Sequence, residues 1–288
     1  MHEVIEAMLK KYACHSEQDY INALKEIFQE IALLGLWRAK FFEKAAFYGG
    51  SALRILYQLD RFSEDLDFSL LEKQESFSLE AYNVAIKEEL NAFGFSVDVE
   101  TKVKTVNTAI ESAFIKANTQ QQLLVVNVDK SLSKKIHPMQ NIKIKMEVDT
   151  DPPGLFTTEA KVLLLPIPFS VITYSQADLF SGKLHALLCR GWQQRVKGRD
   201  WYDFVWYLSR QTPVNLVHLQ QRLQQNGAWQ NKEKLTLNAL QKMLKDKIAQ
   251  TDFAQAKKDV LPFIKDDAAI ALWSSAFFTE LCEKLVAL

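Results

Sequence analysis

Residues 47–70 read Phe-Tyr-Gly-Gly-Ser-Ala-Leu-Arg-Ile-Leu-Tyr-Gln-Leu-Asp-Arg-Phe-Ser-Glu-Asp-Leu-Asp-Phe-Ser-Leu, and no other stretch limits the fold so tightly. Residues 45–48 read as a short strand. Gly49-Gly50-Ser51 ends it with small residues, and residues 52–59 suit a helix of about two turns. Beyond it, Leu66, Phe68 and Leu70 alternate with Asp65, Asp67 and Ser69. A strand sends these two sets to opposite faces, so the apolar set can enter a core while both aspartates face a cleft.

The residue types in this unit point to phosphate chemistry. Glycines between a strand and a helix let a phosphate approach the backbone, and a helix N-terminus favours negative charge. The turn is not a Walker A loop, because the spacing and the Lys-Ser/Thr ending are missing. A tight turn with no ligand would use the same residues. Two carboxylates on one strand face repel each other, and a divalent cation relieves that repulsion. Mg²⁺ takes carboxylate and phosphate oxygens together, which suits a nucleoside triphosphate; Mn²⁺ is the alternative. A solvated strand would carry the same acids without a metal.

A second alternating strand is predicted over residues 142–149. Ile142, Ile144, Met146 and Val148 share one face, and Lys143, Lys145, Glu147 and Asp149 the other. Glu147 is the candidate third metal-binding acid, with Asp149 competing for the role. The turn Asp151-Pro152-Pro153-Gly154 closes that strand. Helical periodicity runs through residues 20–43 and 79–93, with short strands expected near 95–100, 113–116 and 123–128. From Ser175 onward the pattern is nearly all helical, so a domain boundary is placed near residue 170.

Within the C-terminal part, Ser175 followed by Asp178 resembles a capping box and starts a helix. Lys183 and Arg190 lie two turns apart near one face of it. A lysine there can meet phosphates as a point charge, although an exposed lysine is the commoner fate. Lys197-Gly198-Arg199-Asp200 breaks the helix and begins another, with Asp200 suited to the N-cap or first turn and Trp201, Val205 and Leu208 to a buried stripe. His185 reads as a packing or hydrogen-bonding histidine. Lys183, Arg190, Arg195, Lys197 and Arg199 are concentrated in one block, which suggests a basic rim able to guide an RNA end.

Taken together, Gly49-Gly50-Ser51, then Arg61-Phe62-Ser63-Glu64-Asp65-Leu66-Asp67-Phe68, Lys183-Leu184-His185-Ala186-Leu187 and Lys197-Gly198-Arg199-Asp200-Trp201-Tyr202-Asp203-Phe204 resemble the nucleotidyltransferase AbiEii/AbiGii toxin family, which includes the MenT toxins. The resemblance covers most of the chain. It implies an α+β fold: a polymerase-beta-like nucleotidyltransferase core with a mixed sheet over residues 1–170, N-terminal helices included. A helical C-terminal domain over residues 171–288 would contribute to the active site. It implies transfer of a nucleotide from an NTP with Mg²⁺, a tRNA 3′ end as acceptor, and a cognate antitoxin. Carried over, Gly49, Gly50 and Ser51 would cradle phosphate, Asp65 and Asp67 would hold metal, Lys183 would contact the triphosphate, and Asp200 would be a late catalytic or substrate-orienting acid.

Composition narrows the rivals. Lys plus Arg equals Asp plus Glu at 35 each, which argues against a nucleic-acid binder held by charge alone. Cys14, Cys189 and Cys282 form no zinc motif and suggest a reduced, cytoplasmic setting. The longest apolar stretch, residues 162–172, contains Pro166 and Pro168 and is too short to span a bilayer. The remaining alternatives are a non-catalytic nucleotide- or partner-binding protein of the same fold and a kinase-like phosphotransferase.

Overall fold

The computed structural model of the 288-residue chain describes residues 3–101, 109–119, 121–122, 139–190 and 196–288. Its contacts divide into two compact units. The first comprises Met1–Gln58, Ser63–Pro152 and Glu159–Thr173; the second comprises Leu59–Phe62, Pro153–Thr158 and Tyr174–Leu288. The units do not follow a single cut near residue 170. Leu59–Phe62 and Pro153–Thr158 are claimed by the C-terminal helices: Asp203 binds Arg61, and Asp178 binds Thr157. The strand expected at 123–128 and Arg195 lie outside the described residues.

The first unit carries helices α1 (Glu3–Leu9), α2 (Glu17–Arg38), α3 (Gly49–Tyr57) and α4 (Glu80–Ala92). Its sheet is built from β1 (Ala45–Tyr48), β2 (Leu66–Leu70), β3 (Asp98–Thr101), β4 (Ile110–Asn118), β5 (Asn141–Asp149), β6 (Thr158–Leu163) and β7 (Phe169–Tyr174). The strand order is β3-β4-β5-β2-β1-β7-β6. β1 runs antiparallel to β2, β2 parallel to β5, and β1 parallel to β7, so the sheet is mixed. The apolar sets of β2 and β5 are buried as their alternation requires: Leu66, Phe68, Ile144, Met146 and Val148 are all fully covered.

Helix α2 starts earlier than its apolar periodicity suggests, because Ser16 and Asp19 form a capping box. It ends at Arg38, followed by Lys40 in the left-handed region (φ 61°) and a 3₁₀ turn over Phe41–Glu43. Most of α2 is apolar and buried, yet Glu26, Gln29 and Glu30 are buried with it. These polar groups hold the neighbouring elements. Arg54 of α3 donates to Glu26 at 2.8 Å, and Gln29 donates to the Ser63 carbonyl at 3.2 Å. Lys25 reaches Glu64 at 3.2 Å. One helix thus fixes both α3 and the segment leading into Asp65.

The second unit contains α5 (Gln176–Cys189), α6 (Gly198–Ser209), α7 (Leu216–Gln225), α8 (Leu237–Ala249), α9 (Phe253–Val260) and α10 (Ser275–Cys282). Ser175 caps α5 by accepting from the Asp178 N–H. Trp201, Phe253 and Phe278 form the aromatic centre, with Phe253 and Phe278 stacked at 4.6 Å. The buried stripe of α6 runs through Trp201, Phe204 and Leu208; Val205 is only half-buried. Gly198 opens α6 against α9. A Cβ there would lie 1.8 Å from the Ala256 carbonyl oxygen, and the Gly198 N–H donates to Asp259 at 3.0 Å.

Gly198→Ala therefore forces α6 and α9 apart or breaks that hydrogen bond. We expect a loss of about 1–3 kcal/mol, the usual cost of overpacking, read as a lowered midpoint in urea unfolding. An unchanged midpoint would contradict this close approach.

Candidate active site

In the first unit, β1 ends directly on the glycine turn and α3 begins there. Tyr48 occupies the N-cap position with no side-chain cap. Gly49 sits at φ +79°, a conformation that side chains rarely tolerate. A Cβ on Gly49 would lie 2.4 Å from Oδ2 of Asp67. The absent side chain is what lets the Asp67 carboxylate rest against the turn. Sequence pattern placed the glycines and the acids in separate elements; strand pairing unites them, since Tyr48 and Asp67 are register partners of β1 and β2.

Ser51 is fully buried, and its hydroxyl donates to the Asp65 carbonyl oxygen. Its side chain is therefore used to tie α3 to the acidic segment rather than left open toward a ligand. Any contact of Ser51 with phosphate falls to its backbone N–H. Asp65 and Asp67 are half-buried; Asp67 lies in β2, and Asp65 immediately precedes the strand, which begins at Leu66.

The register of β2 with β5 discriminates between the two candidate third acids. Asp67 pairs with Glu147, whereas Asp149 pairs with Ser69, one step farther from Asp65. Glu147 is the acid beside the pair. Its carboxylate is drawn to Lys145 at 2.6 Å and accepts from Ser112 at 3.4 Å. Among the described residues no three His, Cys, Asp or Glu side chains gather closely enough to hold a metal ion by themselves. The pair Asp65 and Asp67 offers only oxygen donors, which fits a hard divalent cation whose remaining ligands are phosphate oxygens and water.

In the second unit a buried ion-pair network occupies α5 and α6. Lys183 Nζ lies 2.9 Å from Asp200 and 2.8 Å from Asp203. Arg61 grips Asp203 with two parallel bonds of 2.6 Å, the strong bidentate geometry. Arg190 reaches Asp200 at 2.7 Å. Three cationic side chains thus meet two carboxylates, an excess of one positive charge. Burial alone would raise the Asp200 carboxyl, but Lys183 first, then Arg190 and Arg61, hold it below its ordinary value.

Lys183 does not take the commoner fate of an exposed helix lysine; its side chain is 12% exposed and committed to two acids. Asp200 sits in the first turn of α6, one of the two positions expected for it, and its carboxylate serves Lys183 and Arg190. Arg61 was visible only as part of a motif, and its partner lies 142 residues away. The basic rim is also altered. Lys183 and Arg190 are paired with Asp200, and Arg199 stacks over Phe263 at 4.1 Å. His185 hydrogen-bonds Asn226 at 2.8 Å, and burial, with Arg222 and Arg190, pushes its pKa down to about 4.

One family model matches most of the chain. The model of the AbiEii family, described as nucleotidyl transferase AbiEii toxin of the type IV toxin–antitoxin system, matches residues 31–277. Among solved structures, the chain is similar to MenT4, a nucleotidyltransferase toxin from Mycobacterium tuberculosis. That match has TM-score 0.55 and 14% identity, covering 99% of this chain and 89% of that one. It is also similar to JHP933 from Helicobacter pylori, with TM-score 0.49 and 15% identity, covering 91% and 90%. No curated protein matches.

Lys183→Ala leaves Asp200 and Asp203 buried with one cation fewer. We expect a loss of about 3 kcal/mol, toward the lower end for a broken buried pair because Arg61 and Arg190 remain. The double change Lys183→Met with Asp200→Asn should recover part of that loss. Equal unfolding midpoints for wild type and Lys183→Ala would contradict the network.

Proposed function

The chain belongs to the AbiEii nucleotidyl transferase toxin family, and from that premise we propose a nucleoside triphosphate as donor, Mg²⁺ as the cation and the 3′ end of a tRNA as acceptor. The observation that carries this reading is the seat of Asp67 against Gly49. It brings a carboxylate with oxygen-only chemistry to the start of a helix that has no side-chain cap bond. A triphosphate on that turn would meet backbone N–H groups of α3 and lie beside the acids.

Asp65 and Asp67 hold the cation, and Glu147, in register with Asp67, supports the pair from the next strand. A divalent cation held by these carboxylates would supply charge neutralisation for the triphosphate. The acceptor hydroxyl attacks the α-phosphorus in line. A new oxygen–phosphorus bond forms, the bond to the β-phosphate oxygen breaks, and pyrophosphate leaves with that electron pair. The hydroxyl proton is released to water. Catalysis of this kind rests on positioning and charge neutralisation. In the second unit Lys183 and Arg190, held by Asp200 and Asp203, are the candidate positive charges for a phosphate group. A cognate antitoxin and a cytoplasmic setting complete the proposal.

Incubation with α-labelled and γ-labelled NTPs and total cellular RNA tests it. Label from the α position should appear in the tRNA fraction, and Asp65→Asn or Asp67→Asn should cut transfer by at least a hundredfold with the unfolding midpoint little changed. Transfer of γ label would mean a kinase. Near-normal transfer by either variant at saturating Mg²⁺ would remove the metal role of the pair.

A further inference from the structure

Helix α6 uses two faces. Asp200 and Asp203 belong to the ion-pair network. Tyr202 and Trp206, one turn apart, instead line a cavity of about 190 Å³ within the second unit. Asp60, Arg210, Ala269 and Trp273 complete the lining that matters here. Tyr202 and Trp273 have ring centroids 6.4 Å apart. Arg210 lays its guanidinium 4.0 Å over the Trp206 ring, and the arginine is exposed. The Tyr202 hydroxyl donates to the Asp60 carboxylate.

The cavity has flat walls, an exposed guanidinium plane stacked on an indole, a carboxylate acceptor and a cationic donor. Its volume is below the range of whole-ligand pockets, about 300–1,000 Å³, and matches a single planar ring system. Unstacked bases are taken up by stacking on aromatic rings and arginine planes, with their edges hydrogen-bonded by polar side chains. We propose that this cavity is a nucleobase-binding site, in which a base stacks on Arg210 and meets Asp60 with an N–H edge. The proposal rests on the nucleotidyl-transfer reading for the source of the base: either the donor NTP or an unpaired nucleotide of the acceptor RNA.

The position of the site gives it consequence. Asp60 and Tyr202 are the chain neighbours of Arg61 and Asp203. Two cross-links therefore join the same two segments side by side: Asp60 with Tyr202, and Arg61 with Asp203. The first is at the cavity wall, and the second is in the ion-pair network. A base that takes a lone pair of Asp60 acts directly beside the bidentate clamp. Phe62 is fixed in the same unit, its N–H donating to the Phe263 carbonyl at 2.8 Å.

Equilibrium dialysis of the full chain with labelled adenosine, guanosine, cytidine and uridine tests the site without using the phosphate-binding groups. Ribose is the control. At least one nucleoside should bind saturably and ribose should not. Ala269→Phe fills the cavity from an exposed position and removes no buried atom; it should weaken binding roughly tenfold or more. Arg210→Ala should do the same, and Arg210→Lys should fail to restore binding, because an ammonium has no stacking plane. No saturable binding, or unchanged affinity in Ala269→Phe with an unchanged melting curve, would overturn the proposal.

Transfer kinetics of Ala269→Phe then identify the source. A raised KM for NTP assigns the base to the donor, and a raised KM for RNA assigns it to the acceptor. Both values unchanged would overturn a role in the reaction. A wild-type chain that binds nucleosides yet transfers no label would refute the nucleotidyl-transfer reading and leave the site standing.

Discussion

Gly49 lies at φ +79° with the Asp67 carboxylate so close that a Cβ would be 2.4 Å from Oδ2. Much of the first unit serves this approach. The β1–β2 pairing places Tyr48 opposite Asp67, the hydroxyl of Ser51 holds the Asp65 carbonyl, and the polar residues of α2 hold α3 and the segment before Asp65. Burying Glu26, Gln29 and Glu30 in an otherwise apolar helix costs desolvation free energy that leucines would not. The partners of Glu26 and Gln29 explain the choice: each bond reaches an element that carries the glycine turn or the acids.

The second unit solves a different problem. Asp200 and Asp203 are nearly or wholly inaccessible, and isolated carboxylates in that setting would be driven neutral. Lys183, Arg190 and Arg61 hold the Asp200 carboxyl below its ordinary value, and Asp203 is paired with Lys183 and Arg61. Such a network is weak as a source of stability and strong as a way to fix geometry, because any single removal strands a buried charge. Gly198 contributes by letting α6 start against the α9 backbone, which sets where Asp200 and Asp203 emerge.

Local patterns carried much of this from sequence. Alternation put Asp67 opposite the buried apolar set of β2, although the strand begins at Leu66 and leaves Asp65 just before it; it put Glu147 opposite the buried set of β5, and the Gly-Gly-Ser turn marked the β1–α3 junction. What local pattern could not supply was register and long-range pairing. Glu147 and Asp149 are equivalent by alternation, and only the pairing with β2 separates them. The partner of Arg61 is 142 residues distant, and Lys183 looks like any helix lysine until two aspartates close over it. Strand β7 also escaped notice, since Phe169–Tyr174 follows a proline-containing apolar stretch and runs straight into the capping serine of α5.

The seat of Asp67 on Gly49 is best tested by Gly49→Ala, assayed for transfer from α-labelled NTP to RNA alongside its circular dichroism spectrum and melting curve. An added methyl should push the carboxylate off the turn, so transfer should fall at least a hundredfold while the variant keeps its secondary structure and a cooperative melt. Near wild-type transfer by a folded Gly49→Ala protein would contradict the account, because it would show that the acids act without resting on the glycine turn.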